Sequence, residues 1–186
     1  MIKDRSERGG MIHKYVFGDP IETDAVVREI GESCWSDGLL HKEGNAFYYE
    51  LQPDEIVYGL GENVRGMNKR GWRYVSNCSD NPNHCEHTNS LYGAHNFIMA
   101  GDGTDNTFGV FVDIPGKITF DVGYTNTDQL VILPEDENYK IYLIEGNSYQ
   151  EVVREFRKLI GRSYIAPRWA LGYGQSRWSY FTADEV

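Results

Sequence analysis

Between Gly44 and Ile144 the chain falls into short segments that favour extended backbone, and this succession limits the fold more than any other feature. Residues 46–51, 55–58, 73–76, 96–100, 107–113, 117–122, 130–133 and 139–144 are rich in β-branched and aromatic side chains, the types that fit a pleated, half-buried surface. Gly, Asp, Asn and Pro separate them. Short strands at this spacing predict an antiparallel β-sandwich. Ile118, Phe120 and Val122 alternate with polar or small partners, as a strand with one buried face requires. Residues 101–106, Gly-Asp-Gly-Thr-Asp-Asn, read as a hairpin connection, and Ile114-Pro115-Gly116 as a tight turn.

One helix is expected, over residues 148–160. Ser148-x-x-Glu151 is a capping box, Val152, Val153, Phe156, Leu159 and Ile160 form one apolar stripe, and Gly161 supplies the stop. The stripe needs a partner surface, either the sandwich or a following domain, and the sequence leaves both open. Residues 22–30 suit a short helix or an irregular strand equally. Residues 1–10 read as a mobile lead, 11–146 as the sandwich and 147–166 as helix and linker. After Pro167, residues 169–173 read as a buried strand, and Thr182-x-x-Glu185 as the cap of a helix to follow. Strand, polar loop and helix nucleus are the opening of a βαβ unit, so 167–186 is expected to be the truncated start of a second domain.

Composition narrows the partners. With a formal net charge of −10, the chain is unsuited to nucleic acid, whose binders carry basic patches. Its apolar runs fall short of a membrane span and its first residues are too charged for a secretory leader, so a cytoplasmic protein is expected. Cys34, Cys78 and Cys85 are odd in number and fit a reducing compartment better than a disulfide framework. No cofactor or metal is expected. Gly59-Leu60-Gly61 lacks the third glycine of a dinucleotide loop, where Val64 stands. Cys78, His84, Cys85 and His87 share one loop but lack the paired order of zinc ligands, and 102–106 is too short for a calcium loop. Asp184 and Glu185 are neighbours at a helix start, where they point apart and cannot face each other across a glycosidic bond.

Four motifs in order resemble glycoside hydrolase family 31, the α-glucosidase family: Val57-Tyr-Gly-Leu-Gly-Glu62, Leu91-Tyr-Gly-Ala-His-Asn-Phe97, Phe108-Gly-Val-Phe111 and Leu171-Gly-Tyr-Gly-Gln-Ser-Arg-Trp-Ser-Tyr180. The resemblance implies a mainly β chain: a galactose-mutarotase-like sandwich, one C-terminal helix, then the first strand of a (β/α)8 barrel. It implies a retaining glycosidase acting on α-glucosides or small oligosaccharides, with nucleophile and acid/base aspartates on later barrel strands. No segment here matches the nucleophile's Trp-x-Asp-Met-Asn-Glu signature, so no catalytic residue is expected in this chain and no turnover from it alone. The family also implies substrate-binding roles for Trp178, past the first barrel strand, and for Asp80 and Asn81, in a polar loop that reaches the sugar subsites. Two rival readings are a non-catalytic carbohydrate-binding or structural sandwich and a sugar mutarotase, the latter needing a His/Glu pair such as His95 and Glu62 on one sheet face.

Overall fold

The computed structural model describes residues 11–174 together with Thr182 and Asp184. Ten strands make two antiparallel sheets: β1 (Met11–Phe17), β2 (His41–Glu43), β3 (Ala46–Glu50), β4 (Ile56–Gly61), β5 (Trp72–Ser76), β6 (Ala94–Gly101), β7 (Thr107–Asp113), β8 (Ile118–Val122), β9 (Gln129–Pro134) and β10 (Tyr139–Gly146). One sheet runs β1-β10-β7-β6-β4 and the other β2-β3-β9-β8-β5. The expected strands are present within a residue or two of their predicted ends, except that β4 runs three residues further, to Gly61. The short edge strand β2 carries no such signal, because His41-Lys42-Glu43 is polar on both faces. Its partner β3 defines it.

The main core lies between the sheets. Phe47, Tyr74, Ile98, Phe108, Val110, Val112, Ile118, Phe120, Leu130, Ile132, Tyr139 and Ile141 all belong to it. A second apolar cluster covers the outer face of the β1–β4 sheet, where Phe97, Phe111, Tyr142 and Ile144 meet Val152 and Leu159 of helix α1 (Tyr149–Ile160). The helical stripe therefore packs on the sandwich itself. Phe97 and Phe156 stack with centroids 3.7 Å apart.

Helix α1 begins at Ser148, whose hydroxyl accepts from the Glu151 amide at 3.2 Å. Glu151 reaches one residue further back than a capping box requires, accepting from the Asn147 amide at 2.9 Å. At the other end the Leu159 carbonyl accepts from the amides of Val27 and Arg28. Residues 22–30 are thus an irregular segment laid across the helix end and the outer sheet face, with Lys140 bonded to Glu22 at 2.7 Å and Thr23 donating to Asp113 at 2.6 Å. Local periodicity could not choose between helix and strand there because tertiary contacts hold the segment in neither.

The expected strand at 169–173 is not formed. Arg168–Leu171 makes a 3-10 turn, with the Ala170 amide donating to the Pro167 carbonyl at 2.9 Å. A strand is stabilised by the ladder of a neighbour, and among the described residues nothing pairs with this one. Trp169 is 82% and Leu171 78% exposed. Exposed apolar side chains grouped in this way drive association. The isolated chain is expected to show concentration-dependent self-association in sedimentation velocity, and a clean monomer at high concentration would contradict it.

The close approach of α1 depends on two glycines. A Cβ on Gly109 would stand 2.6 Å from Val152 Cγ1 and 2.9 Å from the Phe97 ring, and one on Gly146 2.9 Å from Val152 Cγ2. Gly109→Ala should wedge the helix off the sheet and cost about 1–3 kcal/mol, the range for overpacking a filled core. Thermal unfolding followed by circular dichroism checks this, an unchanged midpoint being the contrary result.

Candidate functional site

The long connection from β5 to β6, residues 77–93, passes from one sheet to the other across one end of the sandwich. Its position begins with β4. There Gly59 lies so close to the Phe97 carbonyl that a Cβ would stand 2.3 Å from it, and the register with β6 shifts between Gly59 and Gly61. Leu60 occupies the left-handed region at φ 67° while its side chain is buried. That conformation costs roughly 1–2 kcal/mol for a residue with a Cβ, which burial of the leucyl side chain offsets. The bulge places Glu62 beside the end of the loop. Its carboxylate accepts from the Gly93 amide at 2.9 Å, and its own amide donates to the Gly93 carbonyl at 3.3 Å.

The two limbs of the loop are joined near their roots. The Ser79 amide donates to the Leu91 carbonyl at 2.8 Å and the Val75 amide to the Asn89 carbonyl at 3.2 Å. Ser76 on β5 hydrogen-bonds to Asn96 on β6, and Asn96 donates in turn to the Ile114 carbonyl at 3.2 Å. Arg65 adds a wider clamp. It donates to the carbonyls of Glu86 and Arg73, each at 2.9 Å, and to Asn89 Oδ1 at 3.2 Å, with its guanidinium 4.3 Å from the Trp72 ring centre.

Asp80 is exposed on this scaffold. The hydroxyl of Tyr92, half exposed, is raised above its ordinary value by partial burial, then by the adjacent Asp80 carboxylate and by Glu62. Asn81 is turned into the loop. Its Oδ1 accepts from the Asn83 amide at 3.1 Å and its carbonyl lies 3.4 Å from His84 Nδ1. The two residues named together from sequence thus differ: Asp80 offers acceptor oxygens to solvent, and Asn81 shapes the turn that carries it. Trp178 and Glu185 lie outside the described residues. The Cys85 thiol is drawn below its usual range by the His87 amide and the Thr88 hydroxyl. Cys34, Cys78 and Cys85 are free and exposed.

Glu62, Arg65 and Tyr92 carry no periodicity or charge pattern that marks them in sequence. The family motifs at 57–62 and 91–97 take in Glu62 and Tyr92, and the mutarotase reading pairs Glu62 with His95, but neither motif reaches Arg65. His95 leans over Gly61, to which an added Cβ would bring its ring within 2.8 Å, whereas the Glu62 carboxylate is engaged by Gly93.

Comparison with known families places this architecture. Residues 5–121 match the glycosyl hydrolase 31 N-terminal galactose mutarotase-like domain. The chain belongs to that family. The chain is 28% identical to an α-glucosidase of Saccharolobus solfataricus over 94% of its own length and 26% of the relative's. It is 32% identical to α-glucosidase 2 of Bacillus thermoamyloliquefaciens over 78% of its length and 19% of the relative's. Among solved structures, a family 31 dextranase of Flavobacterium johnsoniae complexed with glucose superposes with a TM-score of 0.62 at 26% identity, covering 75% of this chain and 17% of that one. The relatives are glycoside hydrolases, and this chain spans about a quarter or less of their length.

Strand β5, from which the loop departs, is tied to β8 by one carboxylate as well as by its ladder. Asp121 on β8 accepts from Arg73 Nε and Nη2 at 3.1 and 2.9 Å, from the Thr125 hydroxyl at 2.6 Å, and from the amides of Tyr124 and Thr125, each at 3.0 Å. Burial opposes its charge, but the bonds from Thr125, Arg73 and Tyr124 outweigh burial and hold the carboxyl below its ordinary value. A group depressed in this way stabilises the fold above its unfolded pKa, about 3.9 for aspartate, and that contribution disappears as pH falls through the folded value. Asp121→Asn should therefore lower stability at pH 7 by about 1–3 kcal/mol, toward the lower end because Arg73 is partly exposed and screened. The gap from wild type should shrink on acidification below about pH 4. Denaturant titrations at pH 7 and pH 3 test this, and a gap that persists unchanged at pH 3 would refute it.

Proposed function

We propose that the chain is the N-terminal part of a retaining α-glucosidase-like hydrolase acting on α-linked glucosides, and that loop 77–93 contributes to its sugar pocket. The observation that carries the reading is the exposed Asp80 carboxylate, held beside Tyr92 on a loop anchored to both sheets. A carboxylate accepts hydrogen bonds from two sugar hydroxyls, and an aromatic neighbour suits the apolar face of a pyranose. Asn81 serves by holding the turn. The family resemblance assigns Trp178, in the segment that follows Pro167, to the same sugar pocket.

In a retaining mechanism one carboxylate attacks the anomeric carbon while a second protonates the leaving oxygen, and the second then activates water to release the glycosyl group. This chain has no Trp-x-Asp-Met-Asn-Glu segment, so its part is binding and orientation. The α-glucosidase relatives support the substrate class, and the odd number of cysteines suits a reducing, cytoplasmic setting. The purified 186-residue chain should show no hydrolysis of a nitrophenyl α-glucoside. In the polypeptide encoded by the whole reading frame, Asp80→Ala should lower kcat/KM about 10- to 100-fold, as expected when a sugar hydroxyl loses a charged acceptor. Turnover by the isolated chain, or an Asp80→Ala enzyme with wild-type kcat/KM, would overturn the proposal.

A further inference from the structure

We propose that Arg65 is the positioning residue of this loop, and that its guanidinium sets where the loop's distal limb lies and hence where Asp80 stands. The inference rests on the reading of Asp80 given above. Arg65 belongs to the connection between β4 and β5, outside the loop it clamps. Its three bonds join different pieces of chain: Nη1 to the Arg73 carbonyl on β5, Nε to the Glu86 carbonyl in the distal limb, and Nη2 to Asn89 Oδ1 on the returning limb. The donors of a guanidinium are fixed in one plane, so three satisfied acceptors fix their mutual placement as well. That plane is itself held against the rings of Trp72 and Tyr74, 4.3 and 5.0 Å from their centres.

Apart from the Asp80 carboxylate, which lies against the Tyr92 hydroxyl, the remaining bonds of residues 80–88 are local. Asn81 bonds to Asn83 and His84, and Cys85 exchanges bonds with Thr88 through its amide and its carbonyl. Such turns shape the limb without docking it. Docking comes from Arg65, with Trp72 also lying 6.2 Å from the His87 ring. Since Asp80 sits between the Ser79–Leu91 pairing and this docked stretch, release of Arg65 leaves its carboxylate held only from the Leu91–Tyr92 side. A lysine keeps the charge but presents one compact ammonium, which cannot serve acceptors on three separate segments.

The test uses the polypeptide encoded by the whole reading frame, as wild type, Arg65→Ala, Arg65→Lys and Asp80→Ala, with a nitrophenyl α-glucoside as substrate. Loss of folded enzyme lowers apparent kcat and leaves KM in place, so KM separates positioning from mere stability. Both Arg65 variants are expected to raise KM about tenfold or more, a misplacement effect. The Val75 and Ser79 amides should lose hydrogen-exchange protection while core amides such as Val110 keep it. Unchanged KM in both Arg65 variants, with KM raised in Asp80→Ala, overturns the inference and leaves the loop reading standing. Full recovery of wild-type KM by Arg65→Lys also overturns it, because charge alone would then suffice. If Asp80→Ala is silent too, the loop does not serve the sugar and both readings fall. Should Arg65→Ala expose the core amides, Arg65→Lys decides by the same criteria.

Discussion

The molecule depends on one five-stranded sheet that is apolar on both faces. In β7 every residue from Thr107 to Asp113 is buried, and β10 is nearly the same. Phe108, Val110 and Val112 face the other sheet, while Phe111 and the bare backbone of Gly109 face the helix. A strand placed in this way gains from burial twice, at roughly 1.5–3 kcal/mol for each large apolar side chain. It also makes the helix part of the domain, since Val152 enters the space that Gly109 and Gly146 leave open. The irregular segment over the helix end follows from the same face, because the outer cluster includes Ala25, Val26 and Ile30.

This rigid double layer is what makes an exposed loop usable. Ordering a long polar connection costs conformational entropy at every residue, so the loop keeps one conformation only if bonds are supplied from elements already fixed. Glu62 supplies them from the bulge of β4 and Arg65 from the connection that follows, Arg65 being held in turn by the Arg73 carbonyl on β5. The strained backbone at Leu60 belongs to that arrangement, since without the bulge Glu62 would follow the alternation of the strand. The outcome is a carboxylate left in solvent on a base tied to both sheets.

The division of labour with the rest of a glycoside hydrolase fits this design. The α-glucosidase relatives extend well past the matched region, and this chain matches about a quarter or less of their length. A domain with its own core can present a binding loop without carrying the reacting carboxylates, provided the loop is held by the domain itself. Among the described residues after the helix none is buried, Trp169 and Leu171 included.

Strands β3 to β10, the helix with its Ser148 cap and the net negative charge were legible in the sequence, because each rests on local periodicity, capping chemistry or summed charge. The motif resemblance went further and singled out Asp80 and Asn81, yet it could not separate their roles. That Asn81 is spent on a turn while Asp80 faces solvent is decided by which amides lie within reach, and those belong to the folded loop. The helix's choice of the sandwich as its partner, the irregular course of residues 22–30 and the absence of a strand at 169–173 were likewise settled by surfaces and ladders far away in sequence. Arg65 is the clearest case. Nothing in its neighbourhood along the chain distinguishes it, because its meaning lies in carbonyls 8 and 21 residues away that only the folded sheets bring to one plane.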